Sequence, residues 1–107
     1  MTDTYQIDGT KMVFQMPMEI DHHQAARLKD KMDMLIEAYQ IRQLILDFSG
    51  KEFMDSSGIG MIIGRSRKLH FLNGNVYAIH VGEQVNKIFE ASGLYRMIGN
   101  WEVEEHE

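Results

Sequence analysis

The sequence contains no cysteine and only one proline, Pro17. Without thiols no disulfide and no thiolate metal site can form, and nothing calls for an oxidising compartment, so a cytoplasmic location is the default expectation. Long apolar runs are missing as well: no window approaches the roughly 18 apolar residues of a membrane span. Residues 1–10 lack the basic segment and apolar stretch of a signal peptide, so neither export nor membrane insertion is expected.

A basic excess is also lacking. The chain carries 11 Lys plus Arg against 16 Asp plus Glu, a net charge of −5. Glu102, Glu104, Glu105 and Glu107 concentrate four of those acids in a C-terminal tail at 102–107, which leaves the body nearly neutral. Nucleic-acid affinity rests largely on cations set against phosphates, so no direct nucleic-acid binding is expected.

What remains is ordinary globular material. With 44% hydrophobic and 25% charged residues, the 107-residue chain reads as one domain spanning 1–107 with its own core. Tyr5 and Ile7, then Met12, Phe14 and Met16, alternate with polar residues around Asp8-Gly9. This predicts two antiparallel strands with a two-residue turn at that dipeptide. From Asp21 the period lengthens: Ala25, Leu28, Met32, Leu35, Ile36 and Tyr39 mark one buried helical face. Asp21 is placed to cap this helix, and Gln24 three residues on predicts a capping box, its side chain returning to the Asp21 N–H.

Residues 44–48, LILDF, read as a short parallel strand buried on both faces. Ile59, Ile62, Ile63, Ser66, Leu69 and Leu72 predict a second helix stopping at Asn73-Gly74, with Arg65, Arg67, Lys68 and His70 on its solvated face. Residues 75–81 predict another strand, Val85, Ile88 and Phe89 a short helix closed by Gly93, and residues 97–101 a last strand. The order β-β-α-β-α-β-α-β predicts an α/β fold, a mixed and mostly parallel sheet with crossover helices.

The segment FMDSSGIG, residues 53–60, joins the buried strand to the second helix. Open α/β sheets present their sites beyond the carboxyl ends of parallel strands, so this turn is the candidate site. Ser56 or Ser57 is expected at or near the helix N-cap, where free N–H groups and the dipole favour an oxygen ligand. Gly58, Gly60 and Gly64 keep the early helix face small, so that another surface can approach. On spacing alone, the simplest reading of Asp55, Ser56 and Ser57 is helix capping.

Other motifs point less far. Asp21, His22 and His23 suggest metal ligands, but adjacent helical side chains diverge by about 100°, so a cap beside two exposed imidazoles is expected and no metal site. A hydrolase elbow needs G-x-S-x-G, whereas Met54 and Asp55 precede Ser56, and His70 and His80 read as surface residues. No catalytic residue is assigned, and the chain does not read as an enzyme. The glycines lack both a following Lys-Ser/Thr and a full G-x-G-x-x-G, so no nucleotide cofactor is expected. Among the methionines, Met12, Met16 and Met32 fit the core, while Met18, Met34, Met54 and Met61 are expected to face a partner.

Three blocks together resemble one family: FMDSSGIGMIIGR at 53–65, MEIDHHQAARLK at 18–29 and VNKIFEASGLYRMI at 85–98. They are similar to the anti-sigma factor antagonists, nearest the stage II sporulation branch, whose fold is the STAS domain. The resemblance implies that Ser56, the first serine of the turn, accepts a phosphate and that Ser57 fills the second position. It also implies partner switching: the unphosphorylated protein binds an anti-sigma factor that is also a serine protein kinase carrying Mg-ATP or ADP, and so frees a sigma factor. Phosphorylation of Ser56 releases the kinase, and a metal-dependent serine phosphatase resets the cycle. Asp55, Ser57 and Gly58 in the turn, with Glu19 and Asp21 beside it, are the implied partner-binding residues. Pro17-Met18 stands where many members carry glycine. The alternative is a STAS scaffold or a module binding a small anion or nucleotide.

Overall fold

The computed structural model describes residues 2–100; Trp101 and the acidic tail at 102–107 lie outside the described residues. Alternation at the start of the chain produces a hairpin of β1 (Tyr5–Asp8) and β2 (Lys11–Gln15), with Asp8 opposite Lys11. The two-residue loop is therefore Gly9-Thr10, one residue later than Asp8-Gly9. Gly9 takes φ +63° at the first loop position, as a type II′ turn requires of a glycine.

After a two-residue strand β3 (Glu19–Ile20) come α1 (His22–Tyr39), β4 (Gln43–Asp47) and a second two-residue strand β5 (Phe53–Met54). Then follow α2 (Ser56–Phe71), β6 (Asn75–Ile79), α3 (Glu83–Ser92), a 3₁₀ turn (Leu94–Arg96) and β7 (Gly99–Asn100). The main sheet runs β1-β2-β4-β6-β7, parallel except for the β1–β2 hairpin, as the element order predicts. The last strand occupies the middle of the predicted span 97–101, because Met97 and Ile98 N–H groups bond back to Leu94 O and close the 3₁₀ turn.

One sheet face carries Met12 and Phe14, Leu44 and Leu46, and Val76 and Ala78 in register, all at most 1% exposed. The apolar faces of the helices close over them: Leu28, Met32 and Ile36 of α1, Ile62 and Leu69 of α2, Val85 and Phe89 of α3. Each such side chain contributes about 1.5–3 kcal/mol by leaving water. Ile45 is buried as well, so the central strand is covered on both faces as its uninterrupted apolar run implies. In the last helix pair, burial and the nearby Glu90 carboxylate raise the Tyr95 pKa above 10.0, and its hydroxyl donates to Asn86 Oδ1.

Three readings of side-chain placement are corrected. Tyr39, expected on the buried face of α1, is 52% exposed in its last turn. Arg65 is only 6% exposed, not part of a solvated face, because it lies three residues after Ile62 and four before Leu69, on the buried stripe itself. Its Nε lies 2.9 Å from Asp33 Oδ1, and Lys68 Nζ reaches Glu37 Oε1 at 2.9 Å, so both cations tie α2 to α1. Arg67 and His70 are exposed as expected. Among the partner-facing methionines, Met18 and Met34 are exposed, but Met54 and Met61 are buried at 1% and 5%. Met54 sits under the start of α2, and Met61 follows Gly58 by three residues on its inner side.

Candidate functional site

The short strands carry no periodic signal, yet they build the site. β3 and β5 pair in parallel, Glu19 beside Phe53 and Ile20 beside Met54. Phe53 N–H donates to Met18 O at 2.8 Å and Asp55 N–H to Ile20 O at 3.2 Å, so Pro17-Met18 joins the ladder without disrupting it. The same register brings Asp21 alongside Asp55, the N-caps of α1 and α2. Two helices thus begin side by side, and two positive dipole ends meet two carboxylates.

Each cap is made as the residue type predicts. Asp21 Oδ1 accepts from Gln24 N–H at 2.9 Å, and Asp55 Oδ1 accepts from Ser57 N–H at 2.8 Å. The Gln24 side chain reaches Arg27, whose Nε donates to Gln24 Oε1 at 2.7 Å. With Asp55 as the cap, Ser56 and Ser57 become the first two helical residues. The carboxylate takes over the capping bond, and the serine hydroxyls are released from it. Ser56 is exposed and Ser57 half-buried, and among the described residues neither hydroxyl has a hydrogen-bond partner. Among the described residues no side chain is bonded to the Ser56 hydroxyl in the position of a base.

This arrangement also bears on anion binding. A helix start holds an anion through free N–H groups. Here the Ser57 N–H is taken by Asp55 Oδ1 and the Gly58 N–H by Asp55 O, with a carboxylate already at the helix end. The alternative anion or nucleotide site would find these two donors already engaged.

The loop between β4 and α2 is held from below by two residues that sequence reasoning missed. Glu52 is buried at 4% exposure, and its carboxylate accepts from Ser49 N–H at 2.5 Å and Gly50 N–H at 3.1 Å. Gln84 of α3 bonds both backbone groups of Met54, accepting from its N–H at 3.1 Å and donating to its carbonyl at 3.2 Å. It thereby closes the edge of β5 that β3 leaves open. No local pattern could reveal Gln84, whose partner lies thirty residues away.

Around the serines the surface is mixed. Met18 and Phe53 are 52% and 62% exposed on the β3–β5 ladder, and Glu19, Asp21 and Asp55 are exposed beside them. Gly58 is buried, and a Cβ there would meet Met54 Cγ at 2.6 Å, so its smallness serves internal packing. A Cβ at Gly60 or Gly64 would have no atom within 4 Å. These two glycines floor a shallow cleft between α1 and α2 that is also lined by His22, Ala26, Lys29 and Ser57. His22 and His23 rings lie 5.9 Å apart, and among the described residues no three His, Asp or Glu side chains are grouped to hold a metal. His80, exposed as expected, has its Nδ1 2.7 Å from Asp47 Oδ1 at the end of the sheet. Among the described residues no helix is long and apolar enough to cross a membrane.

The family profile described as "STAS domain" matches residues 1–107. The chain belongs to the STAS family. An anti-sigma F factor antagonist of Paenibacillus polymyxa is 29% identical over 81% of this chain and 74% of its own length. A second, from Lysinibacillus sphaericus, is 33% identical over 71% of this chain and 65% of its own. Among solved structures, the anti-sigma factor antagonist SpoIIAA in its unphosphorylated form superposes with a TM-score of 0.80 at 28% identity, covering 91% of this chain and 85% of that one. SpoIIAA in the phosphorylated form, described as a Bacillus cell fate determinant, shares the fold at a TM-score of 0.71 and 23% identity. The STAS assignment accounts for the three helices and the mostly parallel sheet, and it makes the paired helix starts the surface to explain.

Proposed function

We propose that this STAS domain is an anti-sigma factor antagonist switched by phosphorylation of Ser56. The observation that carries the reading is an exposed, unpartnered hydroxyl at the first position of α2, beside the capping carboxylates Asp55 and Asp21. The names of the relatives support it. In the unphosphorylated state Met18, Phe53, Glu19, Asp21, Asp55, Ser57 and the Gly60–Gly64 floor form the docking surface for an anti-sigma factor that is also a serine kinase. The kinase supplies Mg-ATP and the base that Ser56 lacks, and docking frees the sigma factor in the cytoplasm.

A phosphate adds about −1.5 to −2 charge. Placed on Ser56 it faces Asp55, whose bonds to Ser57 and Gly58 already occupy the donors that would receive it. Repulsion and the cost of desolvating the phosphate at the contact end the docking without refolding. A metal-dependent serine phosphatase restores the hydroxyl. The test is phosphorylation of the purified chain by an anti-sigma kinase with Mg-ATP, read by intact mass and peptide mapping. One phosphate on Ser56, abolished by Ser56→Ala and retained in Ser57→Ala, is the expected result; no incorporation by a kinase active on another antagonist refutes the reading.

The cleft glycines provide a second test. Gly60 lies in a helix with no steric need to be glycine. Gly60→Ala is expected to stabilise the fold by about 0.5–1 kcal/mol, while filling the floor on which the kinase packs. Thermal melting and calorimetric titration with the kinase should therefore move in opposite directions. A variant that melts higher and binds equally well would remove the cleft from the docking surface.

A further inference from the structure

The far end of α2 carries a surface that the switch does not use. Ser66, Arg67, His70 and Phe71 of α2 face Arg96 and Met97 at the 3₁₀ turn across a cleft of about 420 Å³. Ser66 Oγ donates to Met97 O at 3.1 Å, which fixes the two walls relative to each other, so the cleft is preformed. Phe71 is 88% exposed, the most exposed large hydrophobic among the described residues, and Met97 is 40% exposed.

The charges around these two side chains are unbalanced. Arg27, Lys29, Arg65, Lys68 and Lys87 all have carboxylate partners. The side chains of Arg67, His70 and Arg96 have neither an ion pair nor a hydrogen bond among the described residues. Among the described residues no acidic side chain lines the cleft. In a chain of net charge −5, two arginines without a carboxylate partner among the described residues, flanking an exposed phenylalanine, are complementary to carboxylates and to a large apolar group at once.

A symmetric contact centred on this cleft would bring the Arg67 and Arg96 charges of one copy near those of the other, which like-charge repulsion opposes. We infer that this cleft is a docking site for an acidic segment of a partner protein that presents a large apolar side chain between carboxylates. The apolar group packs on Phe71 and Met97, and the carboxylates pair with Arg67 and Arg96. Phe71 lies fifteen residues beyond Ser56 on the same helix, about 22 Å at 1.5 Å per residue. Charge screening makes the site independent of the phosphorylation state of Ser56 over that distance.

The test uses the full chain and a fluorescein-labelled synthetic nonapeptide holding one tryptophan and one leucine among glutamates, with a control in which lysines replace the glutamates. Saturable anisotropy with the acidic peptide alone is expected, weakening as salt rises. Affinity should fall at least about tenfold in Phe71→Ser and in the Arg67→Glu/Arg96→Glu double variant, as for exposed anchors and charge partners, and stay unchanged in Ser56→Asp. All three substituted side chains are exposed, and equal melting temperatures confirm intact folding. Absent saturation, or equal binding by the double variant, overturns the proposal. So does concentration-dependent self-association in sedimentation that Phe71→Ser abolishes, which would assign the face to a second copy.

Discussion

Ser56→Asp is expected to weaken binding to an anti-sigma kinase roughly thirtyfold, about 2 kcal/mol, the range of a like charge forced into a contact. Ser56→Ala should bind as the unsubstituted chain does. The effect arises because the new carboxylate stands next to Asp55, whose own carboxylate already holds the Ser57 N–H. Folding itself should not suffer, since the first turn of α2 carries no acid and an added one there favours the helix dipole by about 0.3–1 kcal/mol. The two consequences separate cleanly: titration calorimetry reads the loss of binding, and melting reads unchanged or higher stability. Tight binding by Ser56→Asp would rule out charge repulsion as the basis of the switch.

A large loss of stability is expected from Gly58→Val. A Cβ at this position would come within 2.6 Å of Met54 Cγ, 2.8 Å of its Sδ and 3.1 Å of Ile20 Cγ2. Those atoms belong to the two-residue strands that carry the switch, and both side chains are 1% exposed with no room to retreat. Overpacking of this kind costs about 1–3 kcal/mol, or a fall of about 5–15 °C in melting temperature for a domain of this size. Thermal melting of Gly58→Val beside Gly60→Ala is the direct comparison: the first should fall and the second rise, although the positions are two residues apart in one helix. A melting temperature for Gly58→Val equal to that of the parent would show that the strands do not pack against α2 as described.

That contrast also shows where legibility ends. In the sequence, Gly58, Gly60 and Gly64 look alike, three small residues keeping one helix face open. In the fold, Gly58 turns inward onto Met54 and Ile20, while Gly60 and Gly64 turn toward the cleft beside α1. Arg65 was similarly hidden, because a charged residue reads as solvated until a partner such as Asp33 is brought to it. The STAS resemblance pointed to Ser56 within the turn, but not to Asp55 as the cap that leaves its hydroxyl free.

The order of the three helices and the five main-sheet strands, most of the buried face of α1, the Asp21 cap and the turn that bears Ser56 follow from the sequence alone. These rest on local rules: the 2.0 and 3.6 periods and the pairing of a side-chain oxygen with a nearby N–H. Only the tertiary structure decided that Asp21 lies beside Asp55, that Gln84 seals β5 and that Glu52 supports the loop below. Two-residue strands have too few residues to show a period, and their partners lie about thirty residues away in the chain. Strand register sets these contacts, and register depends on how the whole core packs.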